Sequence, residues 1–176
     1  MTSAEAPVEI VPYDALWPAL FEKEREALHQ ALAPWLAGSI EHIGSTAIPG
    51  MGAKPVIDIM GPVHTLENSR PAIEAATTLG YCYSPYRPEL EHWFCKPSPA
   101  FRTHHLHLMP LNSTQWVEAL AFRNYLRAHS TVAAEYETLK RRLARAHQFD
   151  REAYTKAKYP FISRVTRVAL EKGYGE

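Results

Sequence analysis

The sequence predicts an α+β fold: a mixed β-sheet of about five strands covered by helices, with a helical C-terminal segment. Three observations predict it. Short apolar or alternating stretches bounded by Gly and Pro fill the first 110 residues, which is strand periodicity. From Asn112 onward apolar side chains recur at three- and four-residue steps, which is helix periodicity. No internal repeat, low-complexity tract or linker divides the chain. Its 176 residues therefore read as a single domain, with a sheet-containing core over 1–110 and a helical segment over 111–176.

The elements follow in order. Met1 to Pro7 is small and polar and reads as a frayed tail, and Val8 to Val11 as a short strand stopped by Pro12. Asp14 is placed to cap a helix running to about Leu36, with Leu16, Trp17, Leu20, Phe21, Leu28, Leu32 and Trp35 on one side. Ser39 to Ile43 and Val56 to Met60 read as strands, the second bounded by Gly61-Pro62. Leu66 to Leu79 reads as a helix capped by Ser69, with Pro71 in its first turn and Gly80 closing it. Tyr81 to Ser84, His92 to Lys96 and Thr103 to Met109 are the remaining strands, with a Pro-containing turn from Tyr86 to Glu91. In the last strand His105 and His107 share one face, and Leu106 and Leu108 the other. Asn112 with Gln115 suits a capping box opening a helix to about Ala128. Ser130 and Asp150 are placed to cap two more, and Pro160 should kink or interrupt the last.

Composition excludes more than it assigns. Nineteen acidic and nineteen basic side chains balance, so no global field favours nucleic acid or an anionic membrane. No apolar run approaches the roughly 20 residues of a membrane span, and no secretory signal opens the chain. A cytoplasmic protein with a small-molecule substrate, a monomer or small homo-oligomer, is the expectation. Cys82 and Cys95 lack metal-ligand spacing and read as reduced, half-buried thiols.

The chemistry concentrates in Glu41 to Met60, EHIGSTAIPGMGAKPVIDIM. A strand leads into Gly44-Ser45-Thr46. A loop of small residues passes Lys54, and the next strand carries one carboxylate, Asp58. Glycine lets the backbone approach a ligand closely, and the hydroxyl with neighbouring N–H groups suits phosphate oxygens. An Asp inside an apolar strand needs a ligand, a partner charge or solvent, because burying it unpaired is costly. The loop is longer than a hairpin requires, which favours a binding loop over a plain turn. His42 shares the alternation of Ile40 and reads as a core or supporting side chain rather than a ligand.

This stretch resembles the signature of the GrpB family, placed in the nucleotidyltransferase superfamily. FRNYLRAH, AAEYETLKRRLA and YTKAKYPFI extend the similarity over nearly the whole chain. The resemblance implies a nucleotidyltransferase-like fold in which Gly44 and Ser45 contact nucleotide phosphates. It also implies an acid on the next strand, Asp58, that holds divalent metal. That superfamily pairs two acids as Asp-x-Asp; here the second position is Met60, which puts two-metal transfer in doubt.

Arg102-Thr103-His104-His105-Leu106-His107 is the second constellation. Two imidazoles two residues apart on a strand suit one divalent ion, with Asp58 as the third ligand. Imidazole would shift preference from Mg²⁺ towards Mn²⁺ or Zn²⁺. The alternative is that these histidines hydrogen-bond the loops, or grip phosphate with Arg102 and no metal. In the helical half Arg123 and Lys140 are candidates to neutralise phosphate, and Tyr136 to line a base pocket. Tyr154 and Lys158 lie four apart and suit the same face. The ordinary reading of all of these is helix surface and core. Two functions stay open, metal-dependent transfer of a nucleotidyl group from a nucleoside triphosphate and non-catalytic binding of a nucleotide or phosphometabolite. A metal-dependent hydrolase on Asp58, His105 and His107 is a third.

Overall fold

The computed structural model describes residues 6–175, so most of the tail expected over Met1 to Pro7 lies outside the described residues. Five strands form one mixed sheet: β1 (Glu41–Ile43), β2 (Ile57–Val63), β3 (Cys82–Tyr83), β4 (His92–Pro97) and β5 (Arg102–Pro110), in the spatial order β1-β2-β5-β4-β3. Only the central pair, β2 and β5, is parallel; the other neighbours are antiparallel. Among the described residues five α-helices accompany the sheet: α1 (Trp17–Leu32), α2 (Pro71–Thr77), α3 (Thr114–Ala128), α4 (Ser130–Ala146) and α5 (Arg151–Glu171). The fold class is the α+β one expected, a mixed sheet of five strands with a helical C-terminal segment.

Alternation along β2 and β5 divides the sheet into two faces. Ile57, Ile59, Leu106 and Leu108 point to a core shared with Trp17, Phe21, Leu28 and Leu32 of α1 and Ala72 and Ala76 of α2. The opposite face carries Asp58, Met60, His105 and His107 and meets the C-terminal helices. There α3, α4 and α5 pack on one another through Ala121, Tyr125, Leu126, Tyr136, Val165 and Ala169, together with Ile48 and Met51 of the loop after β1.

Several expected boundaries move. β2 runs on through Gly61-Pro62 instead of stopping there. The Pro62 carbonyl accepts the Ala37 N–H at 2.8 Å, so its own missing N–H lies on the side β1 has already left. Residues Val8 to Val11 form no strand; Val11 makes a single antiparallel pairing with Ala53. Asp14 caps from further out, accepting the Leu16 N–H at 2.8 Å. Ser69 does not cap α2: its hydroxyl donates to the Thr65 carbonyl at 2.8 Å and meets His92, and the helix shortens to seven residues. The cap of α3 is Ser113, not Asn112, which takes positive φ in the turn before it. Asp150 caps α5 through the Ala153 N–H as expected, and α5 continues helical through Pro160.

Candidate functional site

The turn after β1 closes directly onto β2. Gly44 has φ +72°, and a Cβ there would stand 2.4 Å from Asp58 Oδ2. Only glycine serves at this position, because both the backbone conformation and the carboxylate exclude a side chain. After the turn, Thr46 is buried; its Oγ1 lies 2.9 Å from His42 Nε2 and donates to the Val56 carbonyl at 3.3 Å. His42 stacks on Phe21 with ring centroids 4.6 Å apart. It supports the turn from behind, as its alternation suggested. Burial pushes its imidazole down to about 4, against the pull of Asp58, so it is neutral at neutral pH.

The loop that follows is tied to α4. The Gly52 N–H donates to Glu137 Oε2 at 2.9 Å, and Lys140 Nζ donates to the Gly52 carbonyl at 2.6 Å. Lys140 thereby ends 2 % exposed beside the sheet. Between this loop, β2, β5 and α5 lies a cavity of about 200 Å³. Ser45, Thr46, Lys54, Asp58, His105 and His107 line one side; Lys140, Tyr154, Thr155 and Lys158 line the other. Lys54 and Lys158 stand over the Tyr154 ring, 5.1 and 4.5 Å from its centre.

Two carboxylate–imidazole pairs stand on this face. His105 Nδ1 lies 2.8 Å from Asp58 Oδ1, and His107 Nδ1 lies 2.6 Å from Glu91 Oε2. An ionised carboxylate only accepts, so each Nδ1 carries a proton and donates it to its carboxylate. His105 Nε2 is buried without a hydrogen-bond partner. Glu91, 1 % exposed, also accepts from Arg87 at 2.6 Å. Burial opposes the Asp58 anion, yet the His105 hydrogen bond and the nearby His105, His107 and Lys54 charges draw its carboxyl down to about 2. Glu91 reaches about 2 likewise, burial being outweighed by His107 and Arg87. Burial, reinforced by Lys158 and other nearby cations, lowers Lys140 to about 7. Burial and the charge of Lys54 lower Lys158 to about 8.

The residues present do not fit the metal site of a two-carboxylate transferase. Met60, at the second acid position, is fully buried against Met109 and Trp116. Asp58, His105 and His107 line one cavity but are not grouped on a common point, since His105 Nδ1 is bonded to Asp58 and His107 Nδ1 to Glu91. Among the described residues no three His, Cys, Asp or Glu side chains are grouped to hold a metal ion.

Other expected site residues divide as follows. Gly44, Ser45, Thr46, Lys54, Asp58, His105, His107 and Lys140 come together. Arg102 lies just outside, its guanidinium over the Trp93 ring and its Nε bonded to the Pro99 carbonyl. Arg123 goes elsewhere: it pairs with Glu41 at 2.6 Å and donates to the His42 carbonyl, bracing β1 and lining a separate pocket with these two residues. Tyr136 is core, 3 % exposed between Phe122 and Phe161 with its hydroxyl bonded to Ser45, so it lines no base pocket. Glu91 escaped the sequence reading, because nothing local marks a turn glutamate as the partner of a histidine sixteen residues on.

A family model described as GrpB protein matches residues 7–167. The UPF0157 protein PA4798 of Pseudomonas aeruginosa is 42 % identical over 171 residues, covering 93 % of this chain and 68 % of its own length. The crystal structure of the conserved protein GrpB from Enterococcus faecalis superposes with TM-score 0.85 at 36 % identity, covering 93 % of this chain and 98 % of that one. The GLD-2/RNP-8 complex, a nucleotidyltransferase-fold neighbour, reaches TM-score 0.54 at 14 % identity over 84 % of this chain and 51 % of its own, which speaks for the fold alone.

Proposed function

This chain belongs to the GrpB family, and from that premise we propose that it binds a phosphorylated small molecule, a nucleotide or phosphometabolite. The phosphate oxygens would lie between the Gly44-Ser45 turn and the ammonium groups of Lys54, Lys140 and Lys158. The observation that carries this reading is a charge imbalance, three lysines facing one aspartate in one small cavity. Ammonium groups crowded in partly dry surroundings repel one another, and an anion placed among them relieves that repulsion. The turn adds a hydroxyl and backbone N–H donors of the kind that cradle phosphate. Lysine here takes the neutralising role that a metal ion takes in two-acid transferases.

Nucleotidyl transfer to a small acceptor hydroxyl or amine is the second reading, and His105 favours it. Its Nδ1–H is committed to Asp58, and its Nε2 has no partner. An imidazole held this way can accept the proton an acceptor loses. Asp58 then orients the ring and stabilises its cationic form. Catalysis on this reading comes from positioning and fixed charge.

Titration calorimetry with inorganic triphosphate and ATP tests binding without added metal. Lys158→Met should weaken both by about tenfold or more, the worth of one charge-assisted hydrogen bond. Absence of binding to either probe would sink the proposal. Labelled ATP or GTP with a metabolite pool, with and without Mg²⁺ or Mn²⁺, then separates the readings. Pyrophosphate release that disappears in His105→Gln supports transfer, whereas binding without release supports a sensor.

A further inference from the structure

We infer that the phosphate cavity continues into an outer groove that receives a planar ring, so that the ligand is a nucleotide rather than a sugar phosphate or an inorganic polyphosphate. This rests on reading the inner cavity as a phosphate site.

Size argues first. The inner cavity, about 200 Å³, falls below the roughly 300 to 1,000 Å³ of typical small-molecule sites. It suits a phosphate chain but not the organic part of a nucleotide as well. A second cavity of about 190 Å³ adjoins it and shares Lys54, Val56 and His105 as walls. A molecule anchored by phosphate among the lysines can leave only past these shared residues or into open solvent.

The chemistry changes across that wall. Inside are ammonium, imidazole, carboxylate and hydroxyl groups. Outside, Pro7, Val8, Pro55 and Phe101 supply apolar surface, with Arg102 and Arg151 beside them. Phe101 is 60 % exposed. An exposed phenylalanine is ordinary by itself; here it walls a groove that shares Lys54, Val56 and His105 with a charged cavity. A ring lying on Phe101 would remove apolar area from water on both partners and gain stacking. The neighbouring guanidinium planes can also stack on π-faces.

The groove is held in shape. The Ala6 N–H donates to the Ala100 carbonyl at 3.2 Å, and the Val8 N–H to the Gln148 carbonyl at 2.7 Å. Arg102 and Arg151 both donate to the Pro99 carbonyl and so steady the loop that carries Phe101. Aromatic side chains on the helical side are already committed. Tyr136 is packed between two phenylalanines and Tyr154 lies under two lysines.

Calorimetry on the full chain with ATP and inorganic triphosphate decides it, in the native protein and in Phe101→Ala and Phe101→Trp. The native protein should bind ATP about tenfold more tightly than triphosphate, the worth of one stacked ring. Phe101→Ala should remove most of that difference and Phe101→Trp should restore it. If triphosphate binds but ATP binds no more tightly, or Phe101→Ala leaves the ATP affinity unchanged, the ring groove is refuted and the phosphate cavity stands. If neither probe binds, both fall.

Discussion

Alternate residues of β2 and β5 live in two different media. Ile57, Ile59, Leu106 and Leu108 face a continuous apolar core beneath α1 and α2. Asp58, His105 and His107, one position along the same strands, face a polar cavity under the later helices. The first face needs only volume and apolar surface. The second needs partners for its polar atoms, and it finds most of them in carboxylate–imidazole pairs and a lysine bonded to a loop carbonyl, while His105 Nε2 is left without one. Even the polar face is not polar throughout, since Met60, Met109 and Trp116 close its far end. The sheet provides both environments through side-chain alternation alone, and the helices chosen to cover each face decide which becomes core and which becomes site.

That contrast can be broken at its dry end. Met60→Asp would recreate the Asp-x-Asp spacing, but the new carboxylate would be buried among Met109 and Trp116, beside a His107 already bonded to Glu91. A loss of about 3–5 kcal/mol in urea unfolding is expected. A stable Met60→Asp protein that binds Mg²⁺ tightly would show the far end of the site to be wetter than its packing implies. Gly44→Ala strikes the wet end and should cost about 2 kcal/mol or more, from positive φ and the approach to Asp58 Oδ2. Triphosphate binding should fall with it, and an unchanged melting curve would mean that the turn does not close on Asp58.

The gentlest probe is pH. His42 has its folded value pushed down from 6.5 to about 4, so below pH 6.5 the unfolded chain takes up a proton that the folded chain refuses. Stability should therefore fall as pH drops from about 6.5 to 4. Asp58 and Glu91 are lowered to about 2 from ordinary values of 3.8 and 4.5. The stability they add is full above those ordinary values and is lost as pH falls from there to about 2. Urea midpoints measured from pH 7 to 2 should show both limbs. His42→Gln should remove part of the upper limb only, and a flat upper limb in the native protein would contradict the burial of His42.

Much of this was legible in the chain itself. The Gly44-Ser45 turn, the lone Asp58 and the period-two His105 and His107 are local patterns, and alternation alone placed the histidines on one face. Lys158 could be grouped with Tyr154 by helical spacing. What depended on three dimensions was misread or missed. Arg123 looked like any phosphate-neutralising arginine, and only the packing of α3 beside β1 turns it to Glu41. Tyr136 is a sequence candidate for a base pocket, but its ring belongs to the apolar stripe, as the ordinary reading of its helical spacing has it. Gly61-Pro62 reads as a stop, because sequence does not reveal that β1 ends before Pro62 would have to donate. Glu91 is an ordinary turn residue until β4 and β5 pair and bring His107 to it.

The cavity draws its walls from residues as far apart in sequence as Ser45 and Lys158. During synthesis the turn, Lys54 and Asp58 leave the ribosome a hundred or more residues before Lys158 can join them. A nascent chain carrying the whole sheet is still without a finished pocket, and ligand can stabilise only a protein whose α5 has been made.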